Sequence, residues 1–257
     1  MNKPIAIIAG EPNSISSEII FKSWKLRKNF PHKPWFIVGS FSLLKMQKKN
    51  LKYKIKIKKI NKNFNLKSLY GNVLPIYNID FKQKKSFEKI SNKSNKYILE
   101  CFKTVLNFLQ EKKISGFINC PVSKESLFKN KQQGITEFLA KKAGIKDNAV
   151  MLIFNKKLSV SPVTLHIPLK QVSKEIDQNK IIKKVKIINN FYKKFFKRKP
   201  KFAILGLNPH NISSSKKSEE KQIINIAIKK LVTQNIKVSG PIASDSSFII
   251  FKKYKFD

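Results

Sequence analysis

Ile5-Ala6-Ile7-Ile8-Ala9-Gly10 forms the first apolar run of the chain, and Glu11-Pro12 interrupts it. A run of consecutive rather than alternating apolar residues suits a strand covered on both faces, as in parallel sheets. Beyond the turn, Ile15, Ile19, Ile20 and Trp24 recur at helical spacing within Ser14 to Phe30. Trp35 to Val38 then reads as a second strand. A buried strand, a tight turn, an amphipathic helix and another strand together predict an α/β chain.

The alternation continues along the sequence. Phe41 to Gln47 reads as a helix. Tyr53 to Ile60 alternates lysine with apolar residues, as a half-exposed strand does, and Leu74 to Ile79 reads as a short strand. A long helix is expected from Ser86 to Lys112, and a buried strand from Gly116 to Pro121. Thr136 to Ala143 is a short helix, and Val150 to Phe154 and Val160 to Leu165 flank a hairpin turn. Helices are expected at Lys180 to Phe196, Glu219 to Thr233 and Ser246 to Lys253, with a strand at Phe202 to Leu207. The expected architecture is a mostly parallel sheet with helices on both faces. It spans 1–257 as one α/β unit of two lobes around a cleft, with no legible boundary between them. Ligands of such folds sit at strand C-terminal ends. That singles out Gly10-Glu11-Pro12, Asn119 to Lys124, Thr164 to Pro168 and Asn208-Pro209-His210.

Composition narrows the function classes. The chain has 54 basic and 15 acidic residues, a net charge of +39, yet only Arg27 and Arg198 are arginine. Surfaces that read nucleic acid favour arginine, whose planar fork binds phosphate and guanine bidentately. Lysine is instead spread over almost every segment, alongside abundant Asn, Ile and Phe, which marks a general compositional drift. A nucleic-acid partner is therefore not expected. No apolar run approaches the roughly 20 residues of a membrane span, and no signal-peptide core follows Met1. A cytoplasmic, unanchored protein is expected. Cys101 and Cys120 form no CxxC pair and read as buried free thiols.

Three histidines are present. His32, between Pro31 and Lys33, reads as an exposed loop residue. His166, in Thr164-Leu165-His166-Ile167-Pro168-Leu169, and His210, in Leu207-Asn208-Pro209-His210, both fall just past strands. Neutral imidazoles there suit a borderline divalent metal, although a lone strand-end histidine is more often a satisfied structural residue. Thr136, in Gly134-Ile135-Thr136-Glu137, stands at a helix N-terminus, either as phosphate ligand or as N-cap. Lys124 follows Pro121-Val122-Ser123 and could meet an anionic group, or be one more solvated lysine. Asp245, after Gly240-Pro241-Ile242-Ala243-Ser244, is either a site acid or a helix cap.

Taken in order, these segments resemble the 4-hydroxythreonine-4-phosphate dehydrogenase family of vitamin B6 biosynthesis. The resemblance runs the whole length of the chain. It rests on Gly10-Glu11-Pro12, Pro121-Val122-Ser123-Lys124, Thr136-Glu137-Phe138-Leu139, His166-Ile167-Pro168-Leu169, Asn208-Pro209-His210 and Gly240-Pro241 with Asp245. It implies a three-layer α/β/α fold of the isocitrate/isopropylmalate dehydrogenase type and a homodimer with its active site at the interface. It implies oxidation of the small phosphorylated amino acid 4-phosphooxy-L-threonine, using NAD or NADP and a divalent metal (Zn²⁺, Mg²⁺ or Co²⁺). The β-keto acid formed would decarboxylate to 3-amino-2-oxopropyl phosphate, in pyridoxal phosphate biosynthesis. By the same resemblance His166 and His210 match two of three metal ligands, and Thr136 matches a substrate-phosphate contact. Lys124 and Asp245 match polar, catalytic positions of the active site.

The pattern also departs from the family. Asn13-Ser14-Ile15-Ser16 replaces a glycine-rich turn, Ile135 replaces a phosphate-binding histidine, and Asn211 to Lys216 replaces a small, glycine-rich stretch. Lys255-Phe256-Asp257 reads as the start of a further strand, and the segment bearing the third metal histidine is not in the sequence. A C-terminally truncated record, or an inactive or divergent copy, is the matching expectation. Two other readings are a polyanion- or RNA-binding protein using the basic surface, and an acyltransferase of the phosphotransacetylase type.

Overall fold

The computed structural model describes residues 3–29, 33–128, 134–145, 148–155, 157–165, 167–208, 218–254 and 256–257. The chain divides into two compact units, Met1–Ile135 and Thr136–Asp257.

The first unit is built on β1 (Ile5–Ile8), α1 (Ser16–Lys25), β2 (Trp35–Gly39), α2 (Phe41–Asn50), β3 (Lys56–Ile60), β4 (Val73–Asn78), α3 (Asn95–Gln110), β5 (Gly116–Asn119) and α4 (Lys124–Phe128). The strands form one sheet in the order β3-β4-β2-β1-β5, and every pairing is parallel. The expected α/β class with a mostly parallel sheet is what the chain adopts. Alternate residues of each strand serve opposite faces. Ile37, Leu74 and Ile76 pack with Ile20, Phe21 and Trp24 of α1 and Leu44 of α2. On the other face, Phe36 and Tyr77 meet Phe108 of α3 at ring-centroid distances of 6.1 and 5.1 Å. α3 buries Tyr97, Ile98, Cys101, Phe102, Val105 and Phe108, and large apolar side chains contribute roughly 1.5–3 kcal/mol each when fully buried.

Local chemistry sets the helix starts. The hydroxyl of Ser40 accepts from the Leu43 N–H and caps α2. The expected helix from Ser86 instead begins at Asn95, after a 3₁₀ turn over Asn92–Ser94. Residues 83–88 are held otherwise: the Glu88 carboxylate accepts from the Lys84 and Lys85 N–H groups, and the Glu88 N–H donates to Asn13 Oδ1. Such side-chain bonds compete with helix formation. β5 is expected to be buried; among the described residues it stands at the end of the sheet, and Ile118 is 57% exposed. Both cysteines are free and buried, as expected, and burial raises Cys101 to about 12 and Cys120 to about 11.

The second unit holds α5 (Ile135–Lys142), which starts at the unit boundary, then α6 (Val172–Glu175), α7 (Gln178–Phe196), β6 (Phe202–Leu205), α8 (Asn225–Val232), β7 (Val238–Ile242) and α9 (Ser247–Tyr254). The expected hairpin is reduced to one antiparallel bridge, Ile153 with Val160. Asp177 caps α7, accepting from the Lys180 N–H at 2.9 Å. β6 and β7 pair in parallel, over a core of Ile181, Val185, Ile204, Ile224, Ala227, Ile228 and Leu231. β7 has no counterpart in the sequence reading, because Gly240-Pro241 reads as a loop. Gly240 has φ +138°, and a Cβ there would stand 2.3 Å from the Ile204 carbonyl oxygen. Only glycine lets the two strands approach so closely.

Candidate active site

In the first unit the chain runs from β1 to β2 on one side, then returns from α3 to β5 on the other side of β1. The loops after β1 and β5 lie side by side at the C-terminal ends of adjacent strands, the edge of open α/β sheets where ligands bind. Two of the four loops singled out from the sequence meet here. The Glu11 N–H donates to the Pro121 carbonyl at 2.8 Å, and the Ser16 hydroxyl donates to the same oxygen at 3.3 Å. Glu11 is 1% exposed, and its carboxylate accepts from the Ser94 hydroxyl at 2.8 Å and the Asn13 N–H at 3.3 Å. Glu11 thus ties the turn after β1 to the start of α3. Lys124, the first residue of α4, is exposed just beyond.

The other site residues belong to the second unit. Thr136 is exposed at the second position of α5, so it is not the N-cap; the helix begins at Ile135. It belongs to the first turn, the end of a helix that favours anions. Asp245 is exposed ahead of α9, and its Oδ1 accepts from the Ser246 N–H at 3.0 Å, a turn role joined to any chemical one. His166 and His210, like His32, lie outside the described residues.

The stem of the loop that carries His210 is described, and it is clasped by a residue the sequence reading passed over. Glu220 begins a π-helical turn, Glu220–Ile224, that leads into α8. It is 3% exposed. Its Oε1 accepts from the Leu207 N–H at 3.0 Å and the Asn208 N–H at 2.8 Å, and both its oxygens accept from Asn208 Nδ2. Glu219 also accepts from Asn208 Nδ2, at 3.2 Å. One signal was available: Glu219-Glu220 is the sole pair of consecutive acidic residues in this basic chain.

Burial pushes the Glu220 carboxyl up. Hydrogen bonds from the Asn208 backbone and side chain, its own N–H and the Leu207 N–H outweigh burial and hold it below its ordinary 4.5. A depressed folded-state pKa contributes stability that is complete above the unfolded value and lost as pH falls through the folded one. The melting-temperature gap between wild type and Glu220→Gln is therefore expected to be full near neutrality and to close as pH drops below 4.5. A gap that persists unchanged to about pH 3 would show that the ionised carboxylate adds nothing.

A cavity of about 380 Å³ lies in the second unit, lined by Val185 and Ile188 of α7, Phe202 and Ile204 of β6, and Phe248 and Phe251 of α9. Neither Thr136 nor Asp245 lines it. Lys184 at its wall is pushed below its ordinary pKa by burial and by the Lys180 charge, and its Nζ donates to the Pro162 carbonyl. So apolar a space does not suit a phosphorylated amino acid.

Residues 32–257 match the family described as pyridoxal phosphate biosynthetic protein PdxA. The chain belongs to this family. A 4-hydroxythreonine-4-phosphate dehydrogenase of Sulfurihydrogenibium sp. (strain YO3AOP1) is 35% identical over 255 residues, 97% of this chain and 77% of that protein. The enzyme of the same name from Aquifex aeolicus (strain VF5) is 32% identical, with the same coverage of both. The crystal structure of a 4-hydroxythreonine-4-phosphate dehydrogenase from Klebsiella pneumoniae superposes with a TM-score of 0.86 at 21% identity, over 100% of this chain and 78% of that one. The PdxA relatives are thus named as dehydrogenases, an oxidoreductase class, and the motif resemblance read from the sequence is family membership.

Among the described residues no three His, Cys, Asp or Glu side chains cluster as a metal site, and no helix is long and apolar enough to cross a membrane. As residue types, two neutral imidazoles suit a borderline divalent cation; the strand expected ahead of His166 is not formed, Val160 making a single bridge to Ile153.

Proposed function

We propose that the chain oxidises 4-phosphooxy-L-threonine with NAD or NADP as acceptor and a divalent cation as aid. The similarity to proteins named 4-hydroxythreonine-4-phosphate dehydrogenase, over 97% of this chain, carries the reading. The secondary alcohol loses its O–H proton to a base and its C–H hydride to the nicotinamide ring, giving NADH or NADPH. The resulting β-keto acid breaks its bond to the carboxylate carbon and releases CO₂; the electron pair passes into the ketone as an enol, which takes up a proton at carbon to give 3-amino-2-oxopropyl phosphate.

His166 and His210 would hold the cation. Once bound, it would acidify the alcohol and polarise the ketone, while the nicotinamide cofactor would supply the hydride acceptor. Thr136 and the first N–H groups of α5 bind the substrate phosphate. Ile135, at the start of the same helix, offers no side-chain donor, so the hydroxyl and backbone carry that contact. Lys124 orients an anionic group of the substrate, and Asp245 serves the proton transfer. The active unit is a homodimer with its site at the interface, working in the cytoplasm.

The test is NADH formation from 4-phosphooxy-L-threonine by the purified chain with Zn²⁺, Mg²⁺ or Co²⁺, and its loss on chelation. Turnover of acyl phosphates, with no NADH formed under any metal, would replace this reading with that of a phosphate-handling acyltransferase.

A further inference from the structure

We propose that the open edge of β6 is a strand-docking surface, and that its occupant is a third parallel strand running on from Asp257 into the apolar cavity of the second unit. This stands apart from the proposed reaction and its metal.

Among the described residues β6 pairs with β7 alone, so this two-stranded sheet has an open edge on the far side of β6. The Phe202 and Gly206 N–H groups donate to Lys237 and Ile242, on the β7 side. Successive residues of a paired parallel strand turn their backbone groups to opposite edges, which gives Lys201, Ala203 and Leu205 to the open one. Lys201 is already engaged there: its carbonyl accepts from the Asp257 N–H at 3.1 Å, and its N–H donates to Asp257 Oδ2 at 2.8 Å. Arg198 pairs with the same carboxylate. Ala203 and Leu205 come next along the edge, and both line the cavity, as do Phe256 and Asp257.

An open sheet edge is a template for pairing, and its backbone groups need partners wherever water is kept out. Ile181 and Val185 of α7 and Phe248 of α9 complete an apolar lining, the surroundings of a parallel strand covered on both faces. Asp257 fixes the source of that strand. It stands beside Lys201 at the start of the edge, and a continuation parallel to β6 meets Ala203 and then Leu205, repeating the parallel pairing of β7 on the other side. A strand from a second copy would first have to displace Asp257 from Lys201 and Arg198.

The experiment appends a valine-rich strand of about six residues to the whole chain after Asp257. It reads the melting temperature and the hydrogen exchange of the Ala203 and Leu205 amides. The extended chain is expected to melt roughly 5 °C or more above the unextended one and to exchange these two amides at least about 10-fold more slowly. A proline-rich extension of the same length cannot donate to a ladder and should do neither. Should the valine-rich chain not stay soluble, a threonine-rich one, also a strand former, is read in the same way. Equal melting temperature and exchange with and without the strand-forming extension overturn the proposal. Protection that grows with dimerisation, followed by light scattering at rising concentration, gives the edge to a second copy and overturns it too. So does protection of the unextended chain by dodecanoate with none from the extension, which makes the cavity a site for an apolar ligand.

Discussion

His166→Ala is expected to lower metal-dependent NADH formation by about 100-fold or more, since losing even an outer-shell partner commonly costs about 10–100-fold. An imidazole nitrogen is a neutral donor that neither of the nearest polar neighbours, Thr164 and Lys170, can replace. His210→Ala should cost as much, and the double variant little more, because ligands of one ion act as a unit and their losses do not add. Excess metal should restore part of the activity in the single variants, by mass action. His32→Ala, outside the motif, should leave the rate at the wild-type value. Full activity in His166→Ala would remove this residue from the site.

The second large effect concerns stability at the turn that ties β1 to β5. Gly10 has φ +73°, and a Cβ there would lie 2.4 Å from the Pro121 carbonyl oxygen and 2.9 Å from that of Cys120. Both obstacles are backbone, so no side chain can swing aside. The left-handed conformation costs alanine roughly 1–2 kcal/mol, and displacing the end of β5 adds about 1–3 kcal/mol. Gly10→Ala should thus lose several kcal/mol and drop the melting temperature by roughly 5 °C or more. The displacement would also break the Glu11 N–H bond to Pro121, three residues before Lys124. Gly116→Ala is the contrast: no atom lies within 4 Å of its added Cβ, and the cost should be small. A wild-type melting temperature for Gly10→Ala would mean that the β5 end yields freely.

Much of the fold was legible because its evidence is local. Ile5 to Ile8, the α1 repeat of Ile20 and Trp24, and the basic face of α7 announce their periods within a few residues. What was not legible depends on distant partners. Asn13 accepts from Glu88 and helps delay α3, though 75 residues separate them. Gly240-Pro241 carries the signature of a turn, and only the closeness of Ile204 makes it strand. β5 reads as buried from its composition, since a sheet edge is a property of the neighbours and not of the strand. At the site, the motifs named loops and candidate residues. The acceptor that holds one of those loops, Glu220, sits 12 residues from Asn208 and follows no motif spacing.

The π-helical turn at Glu220–Ile224 gives the second unit room to satisfy two orientations at once. Ala227, Ile228 and Leu231 must face β6 and β7, while Glu220, on the same helical run, must face the loop beyond β6. A continuous α-helix would fix one direction by the other. The wider turn works as an inserted residue, which offsets the aim of the carboxylate from the register of the apolar face. A deletion of one residue within 220–224 would regularise the helix and force a choice between core and clasp.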